Sequence, residues 1–503
     1  MASGADSGPR EQQRAGDLLD TPLAGPAAIQ GSALRVGGYA IGVLLSVGSS
    51  ALLFRHLGVA DAGRFVTALS LVTIAGGLSD LGLTTIALRE LSVRDQASRE
   101  RFVRSLLGLR TVLTGAGVVS VVMFTLVAGY PRELVAGTGL AGVGLVILNI
   151  QGTLATGLMV ELRLGWVTVA ELLRQVVTVI SIVGLVVAGA ELLPFLAVAI
   201  PSSFAALALT ALLIRGDMPF TPSFDRTEWA TLLRDVLPFA AASVLGIIYF
   251  RVAIVLLSLV STTKQTGYFS VSFRMLEVLV VIPQLLVSGA FPIFSRAARD
   301  DHARLAYGVQ RTFEASLVLG VGVGLALILG APLAIEVIAG PDFDPSIGIL
   351  RIQAIALIAV FVNVAWVYAL LSLRRNREIL LLSLLGVTLN VASVAIFGSL
   401  YGARGAAWAT TIVDVVQTAL VGVCLARVNP MLRPSLAVLP RVALAGLAAG
   451  ALALVPGIPT AALVALAGAT YIALAVLLRA VPEETIADVR SLMRRRAGNP
   501  PPP

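Results

Sequence analysis

Residues 77–90 read GLSDLGLTTIALRE. They close an apolar run that starts near Val66, and Asp80 is the charge inside it. An Arg89-Glu90 pair marks where the run ends. A carboxylate in such a run is expensive, and the identity of the surrounding solvent decides how expensive. The run is long enough to cross a bilayer as a helix, which takes roughly 17–25 predominantly apolar residues.

The rest of the chain fixes that solvent. Of 503 residues, 57% are hydrophobic and 13% are charged, with a mean hydropathy of +0.91. Soluble proteins are about 25% charged. Fourteen runs have spanning length: 35–54, 66–88, 105–128, 136–158, 165–188, 192–214, 236–259, 267–291, 309–331, 347–371, 379–399, 404–426, 437–455 and 459–479. Strand alternation is absent, and a bilayer accepts only backbone that satisfies its own hydrogen bonds. The expected fold is an all-α polytopic membrane protein of about fourteen transmembrane helices. The separations read most weakly at Tyr401-Gly402 and at Pro456-Gly457-Ile458-Pro459.

Positive charge orients the chain. With the N-terminus in the cytoplasm, inside loops hold Arg89, Arg94, Arg99, Arg101, Arg104, Arg163, Arg215, Arg226, Arg296, Arg299, Arg304 and further arginines at 374–377, 427, 433 and 490–496. Outside loops hold Arg55, Arg64, Arg132, Lys264 and Arg404. The bias is about fourfold and predicts that both termini are cytoplasmic in a plasma membrane. It also accounts for the net charge of +8, so nucleic acid is not expected as a partner. Cys424 lies alone in an apolar run, and His56 and His302 are far apart. Neither a disulfide nor a Cys/His metal site follows, and no cofactor is expected.

A repeat organises the spans. RHLGVADAGRFVTALSLVTIAGGLSDLGL from Arg55 resembles LVSTTKQTGYFSVSFRMLEVLVVIPQLLV from Leu259. Aligning Gly63 with Gly267 sets Phe65 on Phe269 and Asp80 on Gln284. The expected domains are a disordered cytoplasmic tail (1–32), an N-lobe of six helices (33–214), an interfacial linker (215–235), a C-lobe of six (236–427), two further helices (428–480) and a basic, Pro-rich tail (481–503). In the linker, Trp229, Leu232 and Leu233 share one face of a short interfacial helix. Internal repeats of this kind are a common transporter architecture, with the substrate path at the repeat interface.

The segment RHLGVADAGRFVTALSLVTIAGGLSDLGLTTIALREL resembles the signature of polysaccharide flippases: R-x-L-G, a small-residue corner with an aromatic, D-L-G-L and a closing R-E. PFAAASVLGIIYFRVAIVLLSLV, GYFSVSFRMLE, FPIFSR and YGARGAAWATTIVDVVQ resemble later helices of the same group. That group is the multidrug/oligosaccharidyl-lipid/polysaccharide exporter superfamily, which includes O-antigen (Wzx-type) flippases, the lipid II flippase and drug extruders. The resemblance implies two six-helix bundles around a central cavity. It also implies export of a saccharide linked to an undecaprenyl diphosphate-type lipid, from the inner to the outer leaflet of a bacterial membrane.

Charges within the spans are the candidate site residues, because each costs a few kcal/mol at mid-bilayer. Asp80 lies about 21 Å into its span. Glu171 and Arg174 are spaced i,i+3 on the fifth span, and Arg274 and Glu277 on the eighth. Such pairs can simply neutralise themselves on one helix face. Asp414 sits mid-span and can serve as a hydrogen bond to a neighbouring helix. Arg251 has only Ile247, Ile248, Ile254 and Val255 as i±3 and i±4 neighbours. It needs a carboxylate elsewhere, water or an anionic substrate. Arginine suits phosphate because its planar fork binds two oxygens. The resemblance therefore implies Arg251 and Arg274 as diphosphate ligands, with Asp80, Glu171 and Asp414 balancing charge or coupling transport to H+ or Na+. Two other classes compete: an ion-coupled multidrug antiporter, and a membrane glycan polymerase or ligase. Short loops and the absence of Walker A or HExxH motifs argue against the enzyme.

Overall fold

A computed structural model describes residues 24–215 and 221–480. All regular elements there are helical, and no strand occurs among the described residues. The helices are α1 (Ala24–Asp80), α2 (Leu83–Val93), α3 (Gln96–Val127), α4 (Arg132–Val160), α5 (Leu164–Val187), α6 (Leu192–Ala197), α7 (Ala199–Leu213) and α8 (Arg226–Val260). They continue with α9 (Thr263–Leu279), α10 (Val281–Asp300), α11 (His302–Ile338), α12 (Pro345–Ser372), α13 (Asn376–Val428), α14 (Leu439–Gly450) and α15 (Thr460–Leu477). The tail at 481–503 and most of that at 1–32 lie outside the described residues. Helix already begins at Ala24, earlier than the expected end of that tail.

Twelve stretches among the described residues are long and apolar enough to cross a membrane, where the sequence predicts fourteen. The difference lies in two stretches of 53 residues each, Ile41–Val93 and Asn376–Val428. Run straight, either would extend roughly 80 Å, more than twice a hydrocarbon core of about 30 Å. The long helix in each holds one residue with non-helical backbone, Gly58 (φ 69°) in α1 and Gly402 (φ 58°) in α13. Glycine enters this left-handed region without a Cβ penalty. Each long helix is thus two helices joined across a kink at a glycine, at the points where the sequence separates two runs. At Gly402 the turn is also buttressed: the Gln265 amide oxygen accepts the Ala403 N–H at 2.9 Å.

The helices form two compact units. The first comprises residues 1–50 and 75–240, the second 51–74 and 241–503. In the first unit, Leu83, Phe102, Leu106, Leu154 and Leu158 make a fully buried core. The linker residues Trp229, Leu232 and Leu233 pack against that core. Trp229 donates its indole N–H to the Ser105 carbonyl at 3.0 Å. These residues are therefore the first turns of α8, not a separate interfacial helix, and their apolar face is covered by protein.

In the second unit, Phe313 stacks on Trp366 at 5.3 Å within a core shared by α11, α12, α13, α14 and α15. Residues 51–74, the far end of the α1 hairpin, belong to this unit. Arg55 donates to the carbonyls of Glu336 and Val337, at 2.7 and 3.0 Å, and so caps the orphan carbonyls at the end of α11. Phe54 packs on Phe343 with ring centroids 6.4 Å apart. Most telling, Gly63 and Gly267 meet. A methyl group on Gly63 would strike the Gly267 backbone, and one on Gly267 would overlap the Val59 carbonyl. The two glycines equated by the sequence repeat are in backbone contact.

Candidate functional site

Three polar constellations lie within the spans, one in the first unit and two in the second. The first is built on GLSDLGL. Asp80 ends α1, and Leu81 (φ 46°) and Gly82 (φ 79°) break the helix before α2 starts. The carboxylate splints that break, accepting from the Thr84 hydroxyl in α2 at 2.8 Å. Its charge is met by Arg110 of α3, which donates to Asp80, to Thr84 at 2.6 Å and to Thr153 of α4 at 3.1 Å. Beside it, Asn149 donates to Ser79 and Thr114 at 3.0 and 2.8 Å. The Arg110 side chain is 4% exposed and that of Asp80 41%. Four helices are tied by one matched pair and its hydroxyls.

The second constellation joins α8 and α9. Glu277 accepts from Arg251 on one carboxylate oxygen and from Arg274 on the other, the latter at 2.6 Å. Side-chain exposures of 15% for Arg251, 22% for Glu277 and 28% for Arg274 leave the cluster partly open. Two guanidinium groups share one carboxylate, so the trio carries a net positive charge. Arg251 also lies near the Phe250 ring, 5.8 Å from its centroid.

The third is a cavity of about 410 Å³ inside the second unit. Tyr249 of α8, Gln353 and Asn363 of α12, and Asn390, Asp414 and Gln417 of α13 supply much of its polar lining. Tyr249 donates its hydroxyl to Asp414, and Asn390 donates to the Tyr249 carbonyl at 3.2 Å. The amide oxygens of Gln353, Asn390 and Gln417 are buried without a hydrogen-bond partner. Lone acceptors around one carboxylate suit a small cation or a donor-rich guest, not an anion. Arg251, Arg274 and Glu277 do not line this cavity. Gln284, the sequence partner of Asp80, does.

The remaining candidates separate from these. Glu171 and Arg174 pair with each other on α5, the Arg174 Nε at 3.0 Å from Glu171. Sequence reasoning missed Arg110 and Tyr249. Arg110 sits inside the third apolar run, and an unmatched arginine there was the available signal. Among the described residues, no group of three or more His, Cys, Asp or Glu side chains is placed to hold a metal.

This architecture defines a class, a multi-pass α-helical membrane protein with a fold seen in solved transporters. The lipid II flippase MurJ in an inward closed conformation superposes with a TM-score of 0.71 at 13% identity, over 89% of this chain and 99% of that one. An inward-facing multidrug resistance MATE family transporter of the MOP superfamily gives 0.65 at 14%, over 79% and 98%. A mutant form of the Vibrio cholerae MATE transporter VcmN gives 0.54 at 15%, over 81% and 98%. At such identities the likeness establishes the fold. No curated protein matches the chain by sequence. The family is set by its own sequence profile: the chain belongs to the polysaccharide biosynthesis protein family, which it matches over residues 52–348.

Proposed function

We propose that the chain is a flippase for a lipid-linked saccharide. It moves an undecaprenyl diphosphate-type oligosaccharide from the inner to the outer leaflet by alternating access, for cell-surface polysaccharide biosynthesis. The setting is a bacterial plasma membrane crossed fourteen times, with both 53-residue stretches reversing at their glycines and both termini cytoplasmic. The observation that carries this reading is the trio of Arg251, Arg274 and Glu277. Two guanidinium groups from different helices converge within apolar spans, and the planar fork of each suits phosphate oxygens. Family membership and a fold shared with a lipid II flippase support the same reading.

In this scheme Arg251 and Arg274 take the diphosphate. Their N–H donors replace the water that the head group leaves behind, and the lipid tail stays in the bilayer. Asp414 faces a cavity rich in unmatched acceptors and couples the cycle to H+ or Na+. Asp80 serves as scaffold through Arg110, not as a ligand. The protein is a transporter and not an enzyme.

The test is complementation. A strain lacking this chain should regain its surface glycan with the wild-type gene and not with Arg251→Ala/Arg274→Ala, at equal protein level. Normal glycan from the double variant rejects the arginines as ligands. The Asp414 cavity also fits a second reading, an ion-coupled exporter of cationic drugs. Saturable export of a cationic dye that depends on Asp414, with no glycan phenotype, selects that reading.

A further inference from the structure

Arg251 has no carboxylate within a turn of it on its own helix, and its counter-charge comes from α9. Glu277 gives one oxygen to Arg251 and the other to Arg274. Either phosphorus of the substrate's diphosphate, with its two non-bridging oxygens, offers the same two guanidinium groups the same thing, paired oxygens on a compact anion. We propose that Glu277 is an internal stand-in for the substrate's phosphate. It holds both arginines oriented while the site is empty, yields them as the diphosphate arrives, and retakes them to drive release. This rests on the reading of Arg251 and Arg274 as diphosphate ligands.

Three observations carry it. First, the carboxylate bridges: one oxygen goes to each arginine, from two different helices, and no third cation is needed to complete the set. Second, the charges demand a stand-in. Two guanidinium groups side by side in a low-dielectric region repel, and an unpaired buried charge is strongly destabilising. A carboxylate between them is required when the site is empty. Once a diphosphate is bound, the same carboxylate becomes a like charge beside an anion and is repelled. Third, the trio is partly open, whereas Arg110 is sealed among threonines. Exchange of partners is sterically available to the first and not to the second.

The consequence is a cost built into binding. Affinity falls by the fraction of molecules whose arginines are free of Glu277. That lowers affinity and speeds departure, which suits a carrier that must let go of its cargo. Glu277 is thus a positioning residue that tunes affinity, and its removal should tighten binding.

The experiment uses the purified full chain in detergent and farnesyl diphosphate, an isoprenyl diphosphate without sugar, as probe. Calorimetry gives the affinity and stopped-flow gives the dissociation rate, for wild type, Glu277→Gln, Glu277→Asp and Arg251→Ala/Arg274→Ala. Glu277→Gln should bind roughly tenfold tighter or more, with slower release, as expected when a close opposing charge is removed. Glu277→Asp is too short to bridge both arginines and should fall between. If Glu277→Gln does not accumulate as folded protein, Glu277→Asp carries the comparison. Binding no tighter than wild type in the testable variant, with binding lost in Arg251→Ala/Arg274→Ala, overturns the stand-in and leaves the diphosphate site intact. Undiminished binding in Arg251→Ala/Arg274→Ala overturns the site itself, and the stand-in with it.

Discussion

The two units use intramembrane charge in opposite ways. In the first, Asp80 and Arg110 form a one-to-one pair whose surplus donors end on Thr84 and Thr153. In the second, the position matching Asp80 holds uncharged Gln284, and charge is gathered instead as two arginines on one glutamate. In the first, the arginine is enclosed and divides its donors among Asp80, Thr84 and Thr153. In the second, two arginines from different helices converge on one glutamate and the cluster stays partly open. The two halves of the repeat thus carry their charges in different arrangements.

Breaking the scaffold pair should give the largest effect. Arg110→Leu leaves Asp80 without its counter-charge and Thr84 and Thr153 without their donor, which should cost about 1.5–3 kcal/mol. Thermal unfolding in detergent and yield from membranes measure it. Adding Asp80→Leu should recover part of the loss, because the orphaned charge goes too. Arg251→Ala should cost less, about 1–2 kcal/mol, since Glu277 keeps Arg274. Equal destabilisation by the two single variants would erase the distinction between the units.

The next effect concerns the place where the repeat closes on itself. Gly63 and Gly267 are in backbone contact, and neither leaves room for a methyl group. Gly267→Val should force the 51–74 segment off α9 and cost about 1–3 kcal/mol through overpacking. Thermal unfolding checks the cost. Proteolysis between residues 51 and 74 checks that the loss is local. A silent Gly267→Val would mean that the two repeat-related helices tolerate separation at this point.

Legibility of these features followed the range of the interaction. Hydropathy gave the membrane class and the positions of the helices, because each span must satisfy its own backbone. It separated the runs on either side of Gly58 and at Gly402, where the helices kink, but did not show that helix continues up to the glycine on both sides. Same-helix pairs were visible, because periodicity brings i and i+3 together. Arg274–Glu277 and Glu171–Arg174 both pair as spacing alone suggests. Partners on other helices were not visible. Arg110 stands inside the third apolar run, and nothing in that run names Asp80 as its partner. Tyr249 sits among apolar neighbours and shows nothing of its hold on Asp414. The linker's apolar face was legible, but whether lipid or protein covers it depended on α3, a hundred residues earlier.

Glu171 and Arg174 supply the smallest effect and the cleanest control. They share the residue types and the i,i+3 spacing of Glu277 and Arg274, with the order reversed. The difference is the absence of an Arg251. A single glutamate meets a single arginine on one helix, and more than half of the Glu171 side chain is exposed. Pairs of this kind contribute about 0.3–0.5 kcal/mol. Glu171→Ala/Arg174→Ala should therefore shift thermal stability by no more than about 0.5 kcal/mol and leave glycan complementation intact. Loss of glycan from this variant at normal protein level would show that a neutral pair also serves the cargo. The excess charge in the second unit would then no longer be what separates recognition from scaffold.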